Sequence, residues 1–580
     1  MNYAWKEQAD GFCLCAGDEP ILTLPRQEGC TDAFEPLAEG AFRWTRTAQE
    51  PVDRMTMTLR ATEPVRYWMV PAVNYHGNGW GSGAQYTGCA LNGEPWTYAW
   101  HRIAIPACTY SEGEKWAVSL FGEESGGMSG SIREEDGHAC QSLLWPEQEG
   151  PKVLFKRCWM PPFRGKMAPR RSFAAIVHVS PSGELRQGYH RLLDFAWRYF
   201  ERQVQMEKSP EELIHLDTTF FRSLWQRMFD GLTGFQSGMH WVEEEAAFVK
   251  SRNFELGWVG QNASAACILL REYLRTGDED LQDKALSVLD SWMKFGRLDN
   301  GLMYVKLVSD PNRLDSVING DIPISLDACN LGTGATYLFK AARLAEKCGI
   351  SRPVYTEAAL GLCDFAVRAQ QPSGEFAKSW FLDGMVDARH GSVGAFFAIP
   401  LFDAYDCTGE AKYLDAAFRA FEFYYGEFMR SGYTTAGALD SYCIDKESAA
   451  PLLRLALLCY HRGGNPAFVQ AAENIAYYLA TWQWHYTVAF PADSMAGKAG
   501  FDTYGSTSVS AAHNALDHYG LYWVPEYLEL AHLTGNDVWR SRARALWYSG
   551  TQLISDGTLV INGRVRPAGS QDESVRHTRW

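Results

Sequence analysis

The stretch LFDAYDCTGEAKYLDAA, residues 401–417, decides the fold. Apolar residues recur at helical spacing up to Gly409, and a second helical pattern begins shortly after it. A glycine can adopt the left-handed conformation that ends a helix, and a polar residue behind it can cap the next helix. The stretch therefore predicts two antiparallel helices joined by a tight turn.

This joint is repeated along the second part of the chain. Four more stretches have the same form: REYLRTGDEDL (271–281), AEKCGISRPVYTEAA (345–359), LLCYHRGGNPAFVQAA (457–472) and LELAHLTGNDVWRSRA (528–543). The glycines follow at intervals of 72, 60, 54 and 72 residues, counted over Gly277, Gly349, Gly409, Gly463 and Gly535. A further helix at LDTTFFRSLWQRMF (216–229) completes a set of six hairpins.

Short turns on one side and long loops on the other predict an (α/α)6 toroid, a ring of six helical hairpins. The first helix of each hairpin is the more apolar, as expected of an inner ring. An open solenoid is the alternative, but solenoid repeats are shorter, about 34 to 47 residues, and more uniform in length. We therefore expect a toroidal catalytic domain over residues 209–580.

The first part of the chain has a different period. Short segments rich in β-branched and aromatic residues alternate with Gly, Pro and Asn clusters, which predicts an antiparallel β-sandwich over residues 1–185 and a linker helix over 186–208. The segments are RMTMTLRAT (54–62), VRYWMVPAV (65–73), KWAVSLFG (115–122), KVLFKRCWM (152–160) and SFAAIVHVS (172–180).

Composition argues against several classes of function. The net charge is −15 without a block of basic residues, which argues against nucleic-acid binding. No apolar run approaches the length of a membrane span and no signal peptide is recognisable, so we expect a cytoplasmic protein without a membrane partner. The 14 cysteines are scattered without a CxxC pair, which indicates reduced thiols. No phosphate loop, dinucleotide fingerprint, HExxH or GxSxG motif occurs, and no cofactor is predicted.

The long loops should meet on one face and carry the chemistry. They span approximately 231–262, 297–333, 371–394, 431–449 and 484–520. An acidic, aromatic-lined face suits hydrolysis of a glycosidic bond, in which one carboxylic acid protonates the leaving oxygen and one carboxylate activates water or attacks the sugar. The predicted catalytic residues are Glu447, Asp517, Asp445 and Glu255.

Glu447 belongs to DSYCIDKES (440–448), which stands before the apolar run of a predicted inner helix. Neighbouring acids raise one another's pKa, as a proton donor requires. The alternative is that Glu447 only caps the helix and that Lys446 is its surface neighbour.

Asp517 follows His513 by four residues, so the two would share one face if the segment is helical. They could form a dyad that activates water, or only an intraloop hydrogen bond. A metal site with His518 is a further alternative, but a fourth ligand at a suitable spacing is missing, and no metal is predicted.

Cations near these acids suggest an anionic substituent on the substrate, because arginine binds a carboxylate through two hydrogen bonds. This points to uronic acids; charge balance among crowded acids is the alternative. The predicted substrate-binding residues are Arg252, Trp258, Gln261, Asp387, Arg389, His390, Lys446, His513 and Tyr519.

The chain resembles carbohydrate-active enzymes of gut bacteria, and most of all glycoside hydrolase family 154. The resemblance rests on this architecture and on GALDSYCIDKES (437–448), LAHLTGNDVWRSRARALW (530–547), VPAVNYHGNGWGSG (70–83) and IPACTYSEG (105–113). It implies an exo-acting β-glucuronidase and carries no catalytic residue over to this chain.

We therefore expect a glycoside hydrolase that removes a terminal uronic acid from an oligosaccharide or glycoconjugate. One alternative is a lyase or unsaturated glucuronyl hydrolase acting on uronic acid glycans, and a lyase could draw its base from Tyr442, His513 or Tyr519. A second is a non-catalytic sugar-binding protein. Whether the chain forms a homo-oligomer is left open.

Overall fold

The computed structural model describes the chain in ranges separated by gaps. The residues left out are 77–94, 124–125, 150–151, 155–157, 161–162, 229–230, 252, 258–260, 309–324, 436–443, 512–514 and 579–580.

The N-terminal part forms two seven-stranded antiparallel sheets and two small hairpins. Its strands are β1 (Tyr3–Gln8), β2 (Gly11–Ala16), β3 (Glu19–Pro25), β4 (Cys30–Ala38), β5 (Ala41–Val52), β6 (Met55–Pro64), β7 (Tyr67–Val70), β8 (Asn74–Tyr75), β9 (Trp96–Ala99), β10 (Thr109–Glu112), β11 (Trp116–Gly122), β12 (Ser129–Glu135), β13 (His138–Trp145), β14 (Gln148–Glu149), β15 (Lys152–Leu154), β16 (Cys158–Met160), β17 (Phe163–Arg164) and β18 (Arg170–Pro181).

The two sheets pack face to face. Their strand orders are β1-β2-β3-β6-β13-β12-β9 and β4-β5-β18-β11-β10-β7-β8. Gln141 of β13 is fully buried between them and donates from Nε2 to the Ser111 hydroxyl at 2.9 Å and to the Val118 carbonyl at 3.0 Å. Buried polar groups need such partners, so this amide fixes how the sheets meet.

The rest of the chain is mainly helical. Its helices are α1 (Tyr189–Phe200), α2 (Pro210–Leu224), α3 (Asn262–Thr276), α4 (Glu279–Phe295), α5 (Ala328–Lys347), α6 (Pro353–Ala369), α7 (Ala395–Ala398), α8 (Pro400–Thr408), α9 (Ala411–Ser431), α10 (Ala449–Gly463), α11 (Ala467–Thr481), α12 (Met495–Ala499), α13 (Val524–Thr534) and α14 (Val538–Thr551).

Five antiparallel hairpins are present in the described ranges: α3/α4, α5/α6, α8/α9, α10/α11 and α13/α14. The first helix is the more buried one in the hairpins α3/α4, α5/α6 and α8/α9, most clearly in α5. In the last two hairpins the second helix, α11 or α14, buries the larger share of its residues. Helix α2 contacts α3, and its Leu213 and Leu216 pack on Ile554 and Ala568 beyond α14, so it closes the ring between the first and last hairpins. The predicted β-sandwich followed by an (α/α)6 toroid is confirmed.

The glycine joints have the predicted geometry, with one correction. Gly277, Gly409 and Gly535 end their helices in the left-handed conformation, with φ of 73°, 73° and 69°. In the fourth joint the residue that does so is Gly464, with φ of 66°, because Gly463 is still the last residue of α10. A Cβ is strained at such φ values, which explains why glycine is used there.

Short strands of two to four residues lie between the helices and after α14, and pair into small antiparallel sheets. They are β19 (Trp225–Arg227), β20 (Thr233–Phe235), β21 (Met239–Val242), β22 (Ala247–Lys250), β23 (Asn253–Glu255), β24 (Lys306–Val308), β25 (Leu326–Asp327), β26 (Ser379–Trp380), β27 (Val386–Ala388), β28 (Thr434–Thr435), β29 (Ile444–Asp445), β30 (Thr507–Ser508), β31 (Leu516–Asp517), β32 (Val560–Ile561) and β33 (Arg564–Val565).

The sandwich is fixed to the toroid by buried aromatic contacts. The ring of Tyr75 in β8 stacks on Trp482 at 5.2 Å, and its hydroxyl is 2.7 Å from the Thr481 hydroxyl at the end of α11. The Tyr486 hydroxyl donates to the Trp100 carbonyl at 2.6 Å. Among the described residues, no helix has both the length and the apolar character needed to cross a membrane.

Candidate active site

Four inner helices are preceded by short strands that share a two-residue pattern, an apolar residue followed by an acid. The apolar residue is buried each time, with an exposed fraction of 0% to 4%. Side chains alternate between the faces of a strand, so burying the first residue turns the acid away from the core. The inner helices start at the long-loop end of the ring, and the acids therefore gather there. The pairs are Phe254–Glu255, Leu326–Asp327, Ile444–Asp445 and Leu516–Asp517, before α3, α5, α10 and α13.

Each acid also faces a polar residue across its pair of strands. Three of these partners are hydroxyl residues and one is a lysine. The cross-strand pairs are Glu255 with Lys306, Asp327 with Ser379, Asp445 with Thr434, and Asp517 with Thr507.

Asp445 organises the entrance of α10. Its carboxylate accepts a hydrogen bond from the Glu447 backbone N–H at 3.1 Å, and its carbonyl accepts from the hydroxyls of Tyr478 and Thr434, both at 2.7 Å. The side chain is almost completely buried. Asp445 therefore holds the turn, while Glu447 is half-buried and stands at the edge of the site. The preceding residues 436–443 lie outside the described ranges.

Lys446 is fully buried and is not a surface neighbour of Glu447. Its ammonium forms an ion pair with the Asp517 carboxylate and donates to the Val509 carbonyl at 2.9 Å. It also lies 5.4 Å from the centre of the Tyr519 ring. The contact that the structure shows for the Lys446 ammonium is with Asp517, and its contact with the substrate stays a prediction.

Asp517 is not on a helix, which corrects the prediction that it shares a helical face with a residue four positions earlier. Its strand β31 pairs with β30, and the helical turn begins only at Tyr519. One oxygen of its carboxylate accepts from the Thr507 hydroxyl and from the Tyr519 backbone N–H. His513, the proposed dyad partner, lies outside the described residues.

The acids of different loops converge on the first turn of α5. The pKa of the Cys329 thiol is well above its usual value, first because the thiol is buried and then because Asp327, Glu447 and Asp445 place negative charge around it. The pKa of Tyr519 is also raised, by burial first and with contributions from Glu447 and Asp445. The carboxyl groups before α5 and α10 are therefore close enough to Cys329 for their charges to act on its thiol, and those before α10 act in the same way on Tyr519.

Asp327 is the acid that the sequence prediction missed. It is buried at the start of α5, where it accepts from the Asn330 backbone N–H at 2.8 Å and from the Asn330 amide at 2.9 Å. Burial raises the pKa of Asp327 and those two hydrogen bonds oppose the shift. The apolar–acid pair before an inner helix, shared with Asp445 and Asp517, is the signal that could have revealed it.

Glu255 is close enough to Asp327 for the charges of the two carboxyl groups to interact. Burial raises its pKa, the Lys306 ammonium at 3.6 Å opposes that shift, and the charge of Asp327 adds to it. The loop that follows is tied to α5, because the Gly257 N–H donates to the Asn330 side chain at 3.2 Å. Glu255 and Asp327 are therefore two neighbouring carboxyl groups whose environment favours the protonated form.

The other predicted binding residues have varied surroundings. Gln261 accepts from the Ser264 hydroxyl at 3.0 Å at the start of α3. Asp387 is exposed, and its carboxylate accepts from Ser325 at 2.8 Å and Ser379 at 2.7 Å. It therefore borders the Asp327 strand through β26. Arg252 and Trp258 lie outside the described residues.

Arg389 and His390 stand on the loop between β27 and α7. The Arg389 side chain is half-buried, and its carbonyl accepts from the Lys378 N–H at 3.1 Å. The His390 ring is exposed, with Nδ1 3.2 Å from the buried Glu375 carboxylate. In the described ranges, no group of three or more His, Cys, Asp and Glu side chains is arranged to hold a metal ion.

No known family profile matches the chain, and no curated protein matches it in sequence. Solved structures do match. A polysaccharide lyase shows 11% identity and a TM-score of 0.44, over 98% of this chain and 87% of that one. A cellobiose 2-epimerase from Spirochaeta thermophila shows 10% identity and a TM-score of 0.43, over 68% of this chain and 96% of that one. An unsaturated glucuronyl hydrolase from Streptococcus agalactiae shows 12% identity and a TM-score of 0.39, over 66% of this chain and 87% of that one. These likenesses are too distant to carry an argument, so the resemblance to glycoside hydrolase family 154 remains a prediction.

Proposed function

We propose that the protein is a carbohydrate-active enzyme, a glycoside hydrolase that removes a terminal uronic acid, in particular a β-glucuronide, from an oligosaccharide or glycoconjugate. The observation that carries the proposal is the gathering of acids from four loops at one end of the toroid. Glycoside hydrolysis needs two carboxyl groups in different protonation states at such a place.

Glu447 is the proposed proton donor. It is half-buried, it stands at the edge of the site, and it shares its surroundings with the carboxyl groups of Asp445 and Asp327. Neighbouring carboxyl groups favour the protonated form of one of them. Glu447 would pass its proton to the glycosidic oxygen as the bond to the anomeric carbon breaks.

Asp517 is the proposed carboxylate partner. The Lys446 ammonium, the Thr507 hydroxyl and the Tyr519 N–H orient it, and its side chain keeps 19% of its surface exposed. In the proposed reaction it takes a proton from a water molecule while that water attacks the anomeric carbon. Both residues would act at the long-loop end, where a glycan can enter.

The uronate carboxylate would be bound by a cation at the rim. With Lys446 engaged by Asp517, the described candidates are Arg389 and Lys306, which is 24% exposed and lies beside Glu255. Arginine can bind a carboxylate through two parallel hydrogen bonds. We therefore assign the carboxylate to Arg389 within this proposal.

A panel of 4-nitrophenyl glycosides tests the substrate class. We expect the β-glucuronide to be cleaved and the β-glucoside, β-galactoside and α-mannoside to be cleaved at least about tenfold more slowly, because the neutral sugars leave the Arg389 guanidinium without its anion. Equal rates on neutral sugars, or no turnover of any member, would contradict the proposal. Sugar binding without turnover would instead favour a non-catalytic sugar-binding protein.

A lyase reaction is distinguished by its product. Elimination creates a conjugated unsaturated uronate that absorbs ultraviolet light, whereas hydrolysis creates none. The proposal expects no such absorbance when a uronic acid oligosaccharide is cleaved. The raised pKa of Tyr519 also disfavours this residue as the base of an elimination.

A further inference from the structure

A cleft of about 600 Å³ lies between the outer face of strand β18 and helix α1. The turn after β4 and the side chain of Tyr3 complete its walls. None of the acids before the inner helices lines it. Its volume is in the usual range for small-molecule sites, about 300 to 1,000 Å³.

One face of α1 is turned into the cleft. The face consists of four residues that line the cleft: Arg191, Asp194, Phe195 and Arg198. Counted from Arg191, the others follow after three, four and seven residues, which places all four on one side of the helix. Both arginines are exposed, and no carboxylate of the described residues lies within ion-pair distance of either guanidinium. Two cations one above the other therefore border an open space.

The facing wall contains polar groups whose hydrogen-bonding capacity is unused. His178 and Ser180 are two residues apart on β18, so they share a face, and the His178 ring stacks on Phe195 at 5.2 Å. Their exposed fractions are 5% and 4%. The Ser180 hydroxyl is fully buried and has no hydrogen-bond partner among the described residues. A buried hydroxyl of this kind is costly unless a ligand or water satisfies it. The His178 ring makes no hydrogen bond to a described residue either.

Two acids, Glu39 and Asp194, also line the cleft. Glu39 forms an ion pair with the ammonium of Met1 at 2.5 Å. One oxygen of Asp194 accepts from the Tyr477 hydroxyl at 3.0 Å, whereas Oδ1 is buried without a partner among the described residues. The exposed guanidinium groups of Arg191 and Arg198 are therefore the cations that an anionic ligand can reach.

We propose that this cleft is a second glycan site, which binds a carboxylate-bearing sugar of one or two residues away from the candidate active site. Arg191 and Arg198 hold the carboxylate, and His178 and Ser180 hydrogen-bond sugar hydroxyls. Tyr3 and Phe195 provide apolar surface for the C–H face of the ring. The proposal stands on the cleft alone and does not depend on the reaction catalysed elsewhere.

A fluorine label at the rim can report binding. Ala38 is exposed and lines the cleft, so Ala38→Cys can be alkylated with a trifluoromethyl reagent and observed by ¹⁹F NMR. Cys407 in α8 is also exposed and provides an internal reference signal. The ligands to titrate are D-glucuronate, the neutral sugar D-glucose, and butyrate as a carboxylate without a sugar.

We expect D-glucuronate to shift the rim signal saturably while the Cys407 signal stays in place. Arg191→Gln with Arg198→Gln should weaken this binding roughly tenfold or more, because two charge-assisted contacts are lost. The matched control is Arg540→Gln with Arg544→Gln, two exposed arginines of α14. Glu447→Gln in the same background should also bind as the parent does, which separates the cleft from the candidate active site.

Several results would overturn the assignment. A response to D-glucose as strong as that to D-glucuronate would show that charge is not recognised. An equal response to butyrate would show a carboxylate site without sugar recognition. The absence of a saturable shift, or full binding by the arginine double variant, would exclude the cleft as the site.

Discussion

Lys446 and Asp517 are 71 residues apart in sequence, yet their side chains form an ion pair. The Lys446 ammonium is fully buried and the Asp517 carboxylate is largely buried. The pair joins the loop before α10 to the loop before α13. Because both loops carry proposed catalytic acids, the pair sets where these acids stand relative to each other.

Lys446→Met should lower the free energy of unfolding by roughly 3 kcal/mol, because it leaves the Asp517 carboxylate without its buried cation. Asp517→Asn should be at least as damaging, since it leaves the ammonium unpaired with no exposure to water. The double variant should recover part of the loss. Denaturant unfolding of the four proteins gives the coupling energy directly.

Lys412→Met is the control for that cycle. Lys412 pairs with Asp364 and Glu410, but its side chain is 41% exposed, so the loss should be about 0 to 1 kcal/mol. Equal effects at Lys446 and Lys412 would contradict a structural role for the buried pair.

His518 should make the protein sensitive to acid. Burial and then the charge of Arg576 lower its pKa from 6.5 to about 4, and its Nδ1 has no hydrogen-bond partner among the described residues. In the unfolded chain His518 takes up its proton near the ordinary pKa of 6.5, but in the folded chain only near 4. The contribution of neutral His518 to the free energy of unfolding is therefore fully present above pH 6.5 and is lost as the pH falls toward 4.

His518→Gln should therefore flatten the dependence of the unfolding free energy on pH between 6.5 and 4. Part of the slope should remain, because the pKa of His178 is lowered to about 4 by burial as well. A slope unchanged by His518→Gln would contradict this assignment.

Gly257→Ala should disturb the site indirectly, through the contact between Gly257 and Asn330 at the start of α5. A Cβ at this position would stand 2.3 Å from the Asn330 carbonyl oxygen, so the loop or the start of α5 must move. We expect a loss of roughly 1 to 3 kcal/mol in unfolding and a loss of activity, because Asn330 also holds Asp327. Gly426→Ala in the exposed part of α9 meets no atom within 4 Å and should instead add roughly 0.5 to 1 kcal/mol.

Tyr75→Phe should loosen the sandwich from the toroid. The Tyr75 hydroxyl accepts from the Ala72 N–H at 3.2 Å and bonds to the Thr481 hydroxyl, and both partners are buried. The substitution leaves the buried Ala72 N–H without its acceptor, while the Thr481 hydroxyl still donates to the Tyr478 carbonyl at 2.6 Å. We expect a loss of about 1 to 3 kcal/mol in thermal or denaturant unfolding. Tyr460→Phe, whose hydroxyl has no partner in the described residues, should change stability by less than about 0.5 kcal/mol. Similar losses in both variants would contradict the role given to Tyr75.

The fold was predictable because its signals are local. A glycine such as Gly409 ends one helix within a few residues of the start of the next, and this information does not depend on distant parts of the chain. The one misplaced joint, Gly463 for Gly464, arises because two consecutive glycines can each provide the left-handed residue.

The site was predictable only in part because its geometry depends on distant pairing. Asp517 follows His513 at helical spacing, yet pairing with Thr507 makes it a strand residue. Lys446 stands between two acids and looks solvated in sequence, but the partner that buries it is 71 residues away. Asp327 shares the local apolar–acid pattern of Asp445 and Asp517, but its surroundings depend on the pairing of its strand with the distant strand that contains Ser379.

The most direct test of the central claim is the kcat/KM of Glu447→Gln and Asp517→Asn on two β-glucuronides, one with a 4-nitrophenyl and one with a methyl leaving group. Glu422→Gln and Asp415→Asn, two exposed acids of α9, are the matched controls. We predict that Asp517→Asn slows both substrates by about 10²- to 10⁴-fold, and that Glu447→Gln slows the methyl glycoside far more than the aryl one, whose leaving group needs little protonation. If the wild type cleaves both substrates and both variants cleave them as fast as the controls, Glu447 and Asp517 are not the acid and base of this enzyme.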